Sequence, residues 1–178
     1  FWTLVFANMH CFSWGMDDLK VPKEKTELIV AAEKKVEAVK DQFNMGLLNS
    51  GAFDNQPDWP QAFRWYAMSA ERGFADAQYN LGVLFLEGRG TEKSHIEAAK
   101  WFAKSASQGN ANAALDYGVL VFRGEGVKKD EKIGAQWMLV AARRGNVVAQ
   151  NRVARLYTFG KGVEVDPVEA LKWNLLAA

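Results

Sequence analysis

Trp65, Trp101, Trp137 and Trp173 each follow the last by 36 residues. A large side chain returning at a fixed period of roughly 20 to 50 residues marks stacked supersecondary units and excludes a single closed globule. The glycines keep the same step, as Gly73, Gly109 and Gly145 and again as Gly46, Gly82 and Gly118. So do the pairs Gly88/Gly90, Gly124/Gly126 and Gly160/Gly162.

With 178 residues the chain has room for one or two ordinary domains. The repeat supersedes that count, because in a stacked array each unit touches only its neighbours. Hydrophobic residues make up 49%, enough to fill a continuous core. The net charge of +1 gives no general case for nucleic acid or for an acidic partner. Charge is uneven, however, since Arg123 to Arg155 holds eight basic and three acidic residues. The lone Cys11 excludes an internal disulfide framework.

Each unit is expected to hold two helices, which makes the fold class all-α. In the type unit, 74–109, helix A runs from about Ala75 to Glu87, with Ala77, Leu81, Leu84 and Phe85 at helical spacing. Gly82 lies inside it, where glycine costs about 1 kcal/mol against alanine. The column Gly46, Gly82, Gly118 and Ala154 therefore implies a close approach by a neighbouring helix. Helix A stops at Gly88-Arg89-Gly90, since glycine permits φ > 0. Helix B starts at a cap column of Asp58, Ser94, Asp130 and Asp166. Gln61, Glu97 and Glu169 follow three of these caps by three residues, the spacing of a capping box. Pro167 falls at a first helical position, where its missing N–H is harmless. Ala98, Trp101, Phe102, Ser105 and Ala106 share one face of helix B. The tryptophan column is expected to pack in the core, with each indole N–H finding a partner.

The run Ala77-Gln78-Tyr79-Asn80-Leu81-Gly82-Val83-Leu84-Phe85, then Gly88-Arg89-Gly90, Ala98-Ala99-Lys100-Trp101-Phe102 and Ala106-Ser107-Gln108-Gly109, resembles a Sel-1-like repeat. That family is an α/α relative of the tetratricopeptide repeat, and the likeness covers Phe43 to Ala178 four times over. It implies a right-handed α/α solenoid superhelix of about four repeats, with helix A lining the concave side. The units are expected at 38–73, 74–109, 110–145 and 146–178, the last unfinished at Ala178. A helical lead-in over 16–42 precedes them. The first unit departs from the pattern, because its loop Ala52-Phe53-Asp54 lacks the Gly-x-Gly pair.

Chemistry-bearing motifs are sparse. There is no G-x-S-x-G elbow, P-loop or dinucleotide fingerprint. His10-Cys11 offers two adjacent ligands where a structural zinc takes four. No catalytic residue, metal or cofactor is assigned. Some relatives bind or cleave β-lactam-like compounds, but those carry a cysteine pair in each unit and this chain does not.

A superhelix offers an extended surface for peptide or protein binding. Columns that vary on the helix A side are free to serve recognition. These are Asn44, Asn80, Asp116, Arg152 and Leu47, Val83, Val119, Arg155. Asn44, Asn80, Asp116, Arg152 and Arg155 are therefore the candidate contacts. Trp59 either anchors a partner or packs on the N-terminal helix. Lys128, Lys129, Lys132, Arg143, Arg144, Arg152 and Arg155 form a solvated face, or else meet an acidic partner or a membrane headgroup surface. Nucleic acid is not expected, because no aromatic interleaving or groove-reading motif accompanies them.

The expected function is a monomeric, non-enzymatic scaffold that docks a protein or peptide. The alternatives are a hydrolase acting on cell-wall or β-lactam-like substrates, and a structural segment of a larger protein. Residues 1–15 hold no Lys, Arg, Asp or Glu before Met16-Asp17-Asp18-Leu19-Lys20. They read as the remnant of a secretory signal or as a hydrophobic cap. The expected location is periplasmic or secreted, with a cytoplasmic one as the alternative.

Overall fold

The computed structural model describes residues 23–51 and 56–178. The apolar segment 1–15, with His10, Cys11, Trp2 and Trp14, lies outside the described residues, as does the loop at 52–55. Backbone contacts divide the chain into Phe1–Lys35 and Val36–Ala178. The first unit contributes the start of α1, and the second holds the array.

The described residues form helices and no strand. The elements are α1 (Lys23–Asn49), α2 (Trp59–Glu71), α3 (Ala75–Glu87), α4 (His95–Ser107), α5 (Ala111–Arg123), α6 (Glu131–Arg143), α7 (Val147–Phe159) and α8 (Pro167–Leu176). The odd-numbered helices from α3 on are helix A of successive repeats, and the even-numbered ones are helix B. The end of α1 serves as helix A of the first. From α2 to α8, each helix packs chiefly on its neighbours in sequence, as a one-dimensional array requires.

The caps form as the sequence implies. Asp58 accepts from the Gln61 N–H at 3.1 Å, Ser94 from Glu97 at 3.3 Å and Asp130 from Ile133 at 2.9 Å. Asp166 accepts from both Val168 and Glu169. The capping boxes are only half made, however. Each cap residue gives its own N–H to a carbonyl of the preceding helix A: Asp58 to Asn49, Ser94 to Phe85, Asp130 to Val121 and Asp166 to Tyr157, at 2.8 to 3.0 Å. That bond closes the hairpin and leaves no donor for the box glutamate. Glu97 and Glu169 turn instead to Lys100 and Lys172, each at 2.6 Å. Asp130→Ala should cost about 1 kcal/mol of stability, read as a lower urea midpoint with an unchanged slope.

The two glycines of each loop do different work. The first ends helix A in the left-handed region, with φ of 71°, 76° and 64° at Gly88, Gly124 and Gly160. The second is a joint between repeats. A Cβ on Gly90 would meet the Trp59 carbonyl, one on Gly126 the His95 carbonyl and one on Gly162 the Glu131 carbonyl. Each loop thus lies against the start of the previous helix B.

The glycine inside helix A answers to the residue after the tryptophan. A Cβ on Gly46 would run into the Tyr66 ring, and one on Gly82 would lie 2.6 Å from the Phe102 ring. On Gly118 it would lie 2.9 Å from the Gly134 carbonyl and 3.1 Å from Met138. In the last unit Ala154 replaces glycine and Asn174, an exposed residue, replaces the bulky partner. Tyr66, Phe102 and Met138 are buried. By contrast Trp65, Trp101 and Trp137 are half-buried, and only Trp173 reaches the core. Neighbouring helix positions point about 100° apart, so turning the second residue onto helix A swings the indole toward the edge. Lys104 Nζ then stacks 3.9 Å over Trp101, and Trp137 meets Tyr117 edge-on at 5.5 Å. The buried Trp173 N–H finds no protein acceptor among the described residues.

Two buried clusters result where a single core is expected from the composition. One is centred on α2 and α3, the other runs from α4 to α8, and Phe85 packs against both. Polar threads also tie the repeats. Ser69 and Ser105 donate to the Val39 and Ala75 carbonyls at 2.9 and 2.7 Å. Gln78 and Gln150 donate to the Ala70 and Ala142 carbonyls that end helix B. Between them Ala114 occupies the glutamine column. There Arg144 reaches back to the equivalent carbonyl, Ala106, at 3.3 Å.

Candidate functional site

Where two consecutive A helices part above the B helix between them, a cleft opens. One such cleft, of about 320 Å³, lies between α5 and α7 over α6. Its apolar lining is Val119, Phe122, Met138, Leu156 and Phe159, and Arg123, Arg152, Arg155 and Lys161 supply the charge. A second, of about 270 Å³, lies between α1 and α3 over α2. It is lined by Leu47, Ser50, Trp59, Tyr66, Asn80, Val83, Leu84, Glu87 and Arg89.

The two are the same cleft two repeats apart. Leu47 corresponds to Val119, Ser50 to Phe122, Tyr66 to Met138 and Asn80 to Arg152. Val83 corresponds to Arg155, Leu84 to Leu156, Glu87 to Phe159 and Arg89 to Lys161. The backbone scaffold repeats while the lining changes from nearly neutral to strongly cationic. In the first cleft charge is balanced internally. Arg89 pairs with Glu87 at 2.9 Å and lies 4.6 Å over the Trp59 ring. In the cationic cleft Arg123 has a long contact with Glu125, at 3.6 Å, and Arg152 acts on Asp116. Among the described residues, the Arg155 and Lys161 side chains have no ion-pair or hydrogen-bond partner.

The candidate contact residues are only partly brought together. Arg152 and Arg155 share the cationic cleft, and Asn80 and Trp59 share the other. Asn44 is exposed on α1 and lines neither. Asp116 lies between the two, where its column proves to be a polar ladder between repeats. Tyr66 bonds with Ser50, at 3.4 Å, and with Asn80. Tyr79 donates to the Asp116 carboxylate, and Arg152 stands on its other side. Burial pushes the Asp116 carboxyl above its ordinary value, partly offset by the Tyr79 hydroxyl and by Arg152. Burial, reinforced by the Asp116 charge, pushes the Tyr79 phenol up to about 12. The folded chain thus keeps a proton that the unfolded chain loses near 10. Its contribution to stability is complete below pH 10 and is lost as pH rises toward 12. The phenolate absorbance of wild type minus Tyr79→Phe should therefore show a midpoint near 12.

Sequence reasoning passed over Arg123, Phe159, Lys161 and Arg89. The available signal was columnar, since Phe159 and Lys161 stand two repeats after Glu87 and Arg89. Phe159 is 61% exposed at the end of α7, unusual for a phenylalanine in a packed repeat. The basic cluster divides. Arg152 and Arg155 enter the cleft, Lys129 pairs with Glu131 at 2.8 Å, and Arg144 caps the Ala106 carbonyl. Among the described residues, no helix is long and apolar enough to cross a membrane, and no His, Cys, Asp and Glu cluster is arranged to hold a metal ion.

The Sel1 repeat model matches residues 40–74, 75–110, 111–146 and 147–178. A Sel1 repeat protein from Oxalobacter formigenes is 32% identical, with a TM-score of 0.73 over 78% of this chain and 57% of its own. The protein c5321, a protective antigen present in uropathogenic Escherichia coli strains and displaying an SLR fold, is 31% identical, with a TM-score of 0.75 over 82% of this chain. The match spans 32% of the length of c5321. Cysteine rich protein B of Helicobacter pylori shares the fold at 24% identity and a TM-score of 0.55, over 71% of this chain and 94% of its own. Four consecutive matches and two relatives above 30% identity leave one assignment: the chain belongs to the Sel1 repeat family.

Proposed function

We propose that this chain is a non-enzymatic scaffold that docks a partner protein or peptide along its helix A side. The observation that carries this reading is the recurrence of one cleft two repeats apart with its lining chemistry exchanged. Packing alone would hold such positions constant, as it does Leu84 and Leu156. The exchange of Asn80 for Arg152 and Val83 for Arg155 is what recognition of a non-repeating ligand asks for. A hydrolase reading has less support. The cationic cleft offers four cations and no carboxylate, histidine or hydroxyl to carry a proton. An exported location accompanies the scaffold reading on the strength of the charge-free run at 1–15, and cell fractionation checks it.

A photo-crosslinking residue placed at Val83, at Arg155 and at the exposed Lys132 of α6 tests the docking face in cells that make the protein. The same partner should be captured from 83 and 155 and not from 132. Capture from 132 alone would remove the helix A side as the docking face.

A further inference from the structure

We infer that the cationic cleft between α5 and α7 binds an acidic peptide segment, seating a carboxylate side chain beside a large apolar one. The inference rests on the docking reading above and supplies the ligand chemistry for one of its clefts. Two features lead there. The first is uncompensated charge. The cleft gathers Arg123, Arg152, Arg155 and Lys161. Among the described residues, only Glu125 and Asp116 act on any of them, through Arg123 and Arg152. Asp116 is itself committed to the Tyr79 hydroxyl. Arg155 and Lys161 are left to an outside anion. The equivalent cleft two repeats earlier makes the comparison sharp, because there Arg89 is already satisfied by Glu87 and Trp59.

The second feature is the apolar wall beneath the cations. Phe159 stands 61% exposed in a lining that also includes the half-buried Val119 and Phe122 and the buried Leu156 and Met138. A small free anion would leave that wall wet. A duplex phosphodiester backbone brings charge but no apolar group to cover it, its bases being stacked inside. A peptide with Asp or Glu next to Phe, Leu, Ile, Met or Trp satisfies both. Guanidinium and carboxylate groups pair in bidentate geometry, so the three arginines of the cleft, with Arg155 unpaired among the described residues, also favour carboxylates over a diffuse negative surface.

The test is a phage-displayed library of random peptides panned on the full chain, with enriched peptides remade and measured by fluorescence anisotropy. Enriched peptides should carry Asp or Glu within two residues of a large apolar residue. Their affinity should fall at least about tenfold for Arg155→Glu/Lys161→Glu and for Gln-substituted peptides, and should weaken with added salt. Both substituted side chains are exposed, and matched circular dichroism melts would show that the variant is folded. A phosphodiester oligonucleotide that outcompetes the enriched peptides would overturn the inference. Neutral peptides indifferent to the charge reversal but lost on Val83→Glu would overturn it too, while keeping the helix A side as the docking face. Peptides indifferent to both variants would remove the docking face along with the inference.

Discussion

Phe102→Ala should lower the free energy of unfolding by about 3–5 kcal/mol, the usual range for deleting a fully buried ring. Phe102 is 0% exposed, and its ring lies against Gly82 and 5.7 Å from the Tyr79 ring. It is the largest side chain in the fully buried set. The cavity cannot collapse easily, since its walls belong to two helices already held by the Ser94–Phe85 hairpin bond. The partner experiment reads the same contact from the other side. Gly82→Ala gains about 1 kcal/mol of helix propensity. An overpacking cost of about 1–3 kcal/mol offsets that gain, because the new methyl overlaps a ring with no room to withdraw, so the net should be a destabilisation of up to about 2 kcal/mol. In a Phe102→Val background the same alanine should stabilise, by up to about 1 kcal/mol. The final repeat already has this arrangement, with Ala154 where the glycine would be and no bulky residue opposite. Urea denaturation of the four proteins measures the coupling, and additive effects would remove glycine–ring complementarity as the reason for the column.

Gly126→Ala is expected to cost about 3 kcal/mol. Its φ of +73° places a side-chain-bearing residue in the left-handed region, at about 1–2 kcal/mol. The rest comes from backbone. The added Cβ would overlap the His95 carbonyl and the Ile96 nitrogen at the start of α4, atoms that cannot rotate aside. The joint between the second and third repeats would have to open. Gly145→Ala is the control. It has a φ of +85° but nothing within 4 Å of the new Cβ, so only the conformational term of about 1–2 kcal/mol applies. Thermal melts of the two variants separate the contributions, and equal losses would mean that the second loop glycine is not a joint.

Much of the local structure was legible from spacing. The expected bounds of helix A in the type unit, Ala75 to Glu87, are those of α3. Helix bounds follow from residues adjacent in sequence, such as Asp130 at a cap or Gly124 at a stop, and such signals act over one turn. The close approach at Gly82 was also legible, since only a neighbouring atom explains glycine at the same place three times. What sequence reasoning misjudged depends on rotation about the helix axis. Trp101 and Phe102 are adjacent, both large and both apolar, and nothing local says which of them turns inward. The capping boxes failed for a similar reason, because the cap N–H had a distant carbonyl to serve.

By itself the sequence determined that the chain is a stack of helical hairpins and which family it belongs to. A period survives any change of rotation or packing partner, so it can be read without coordinates. The tertiary structure alone decided that Gly126 lies on the His95 carbonyl, that Asp116 is tied to Tyr79, and that Arg123, Arg152, Arg155 and Lys161 line one cleft. Those pairings join residues that the backbone brings together only once neighbouring repeats have docked.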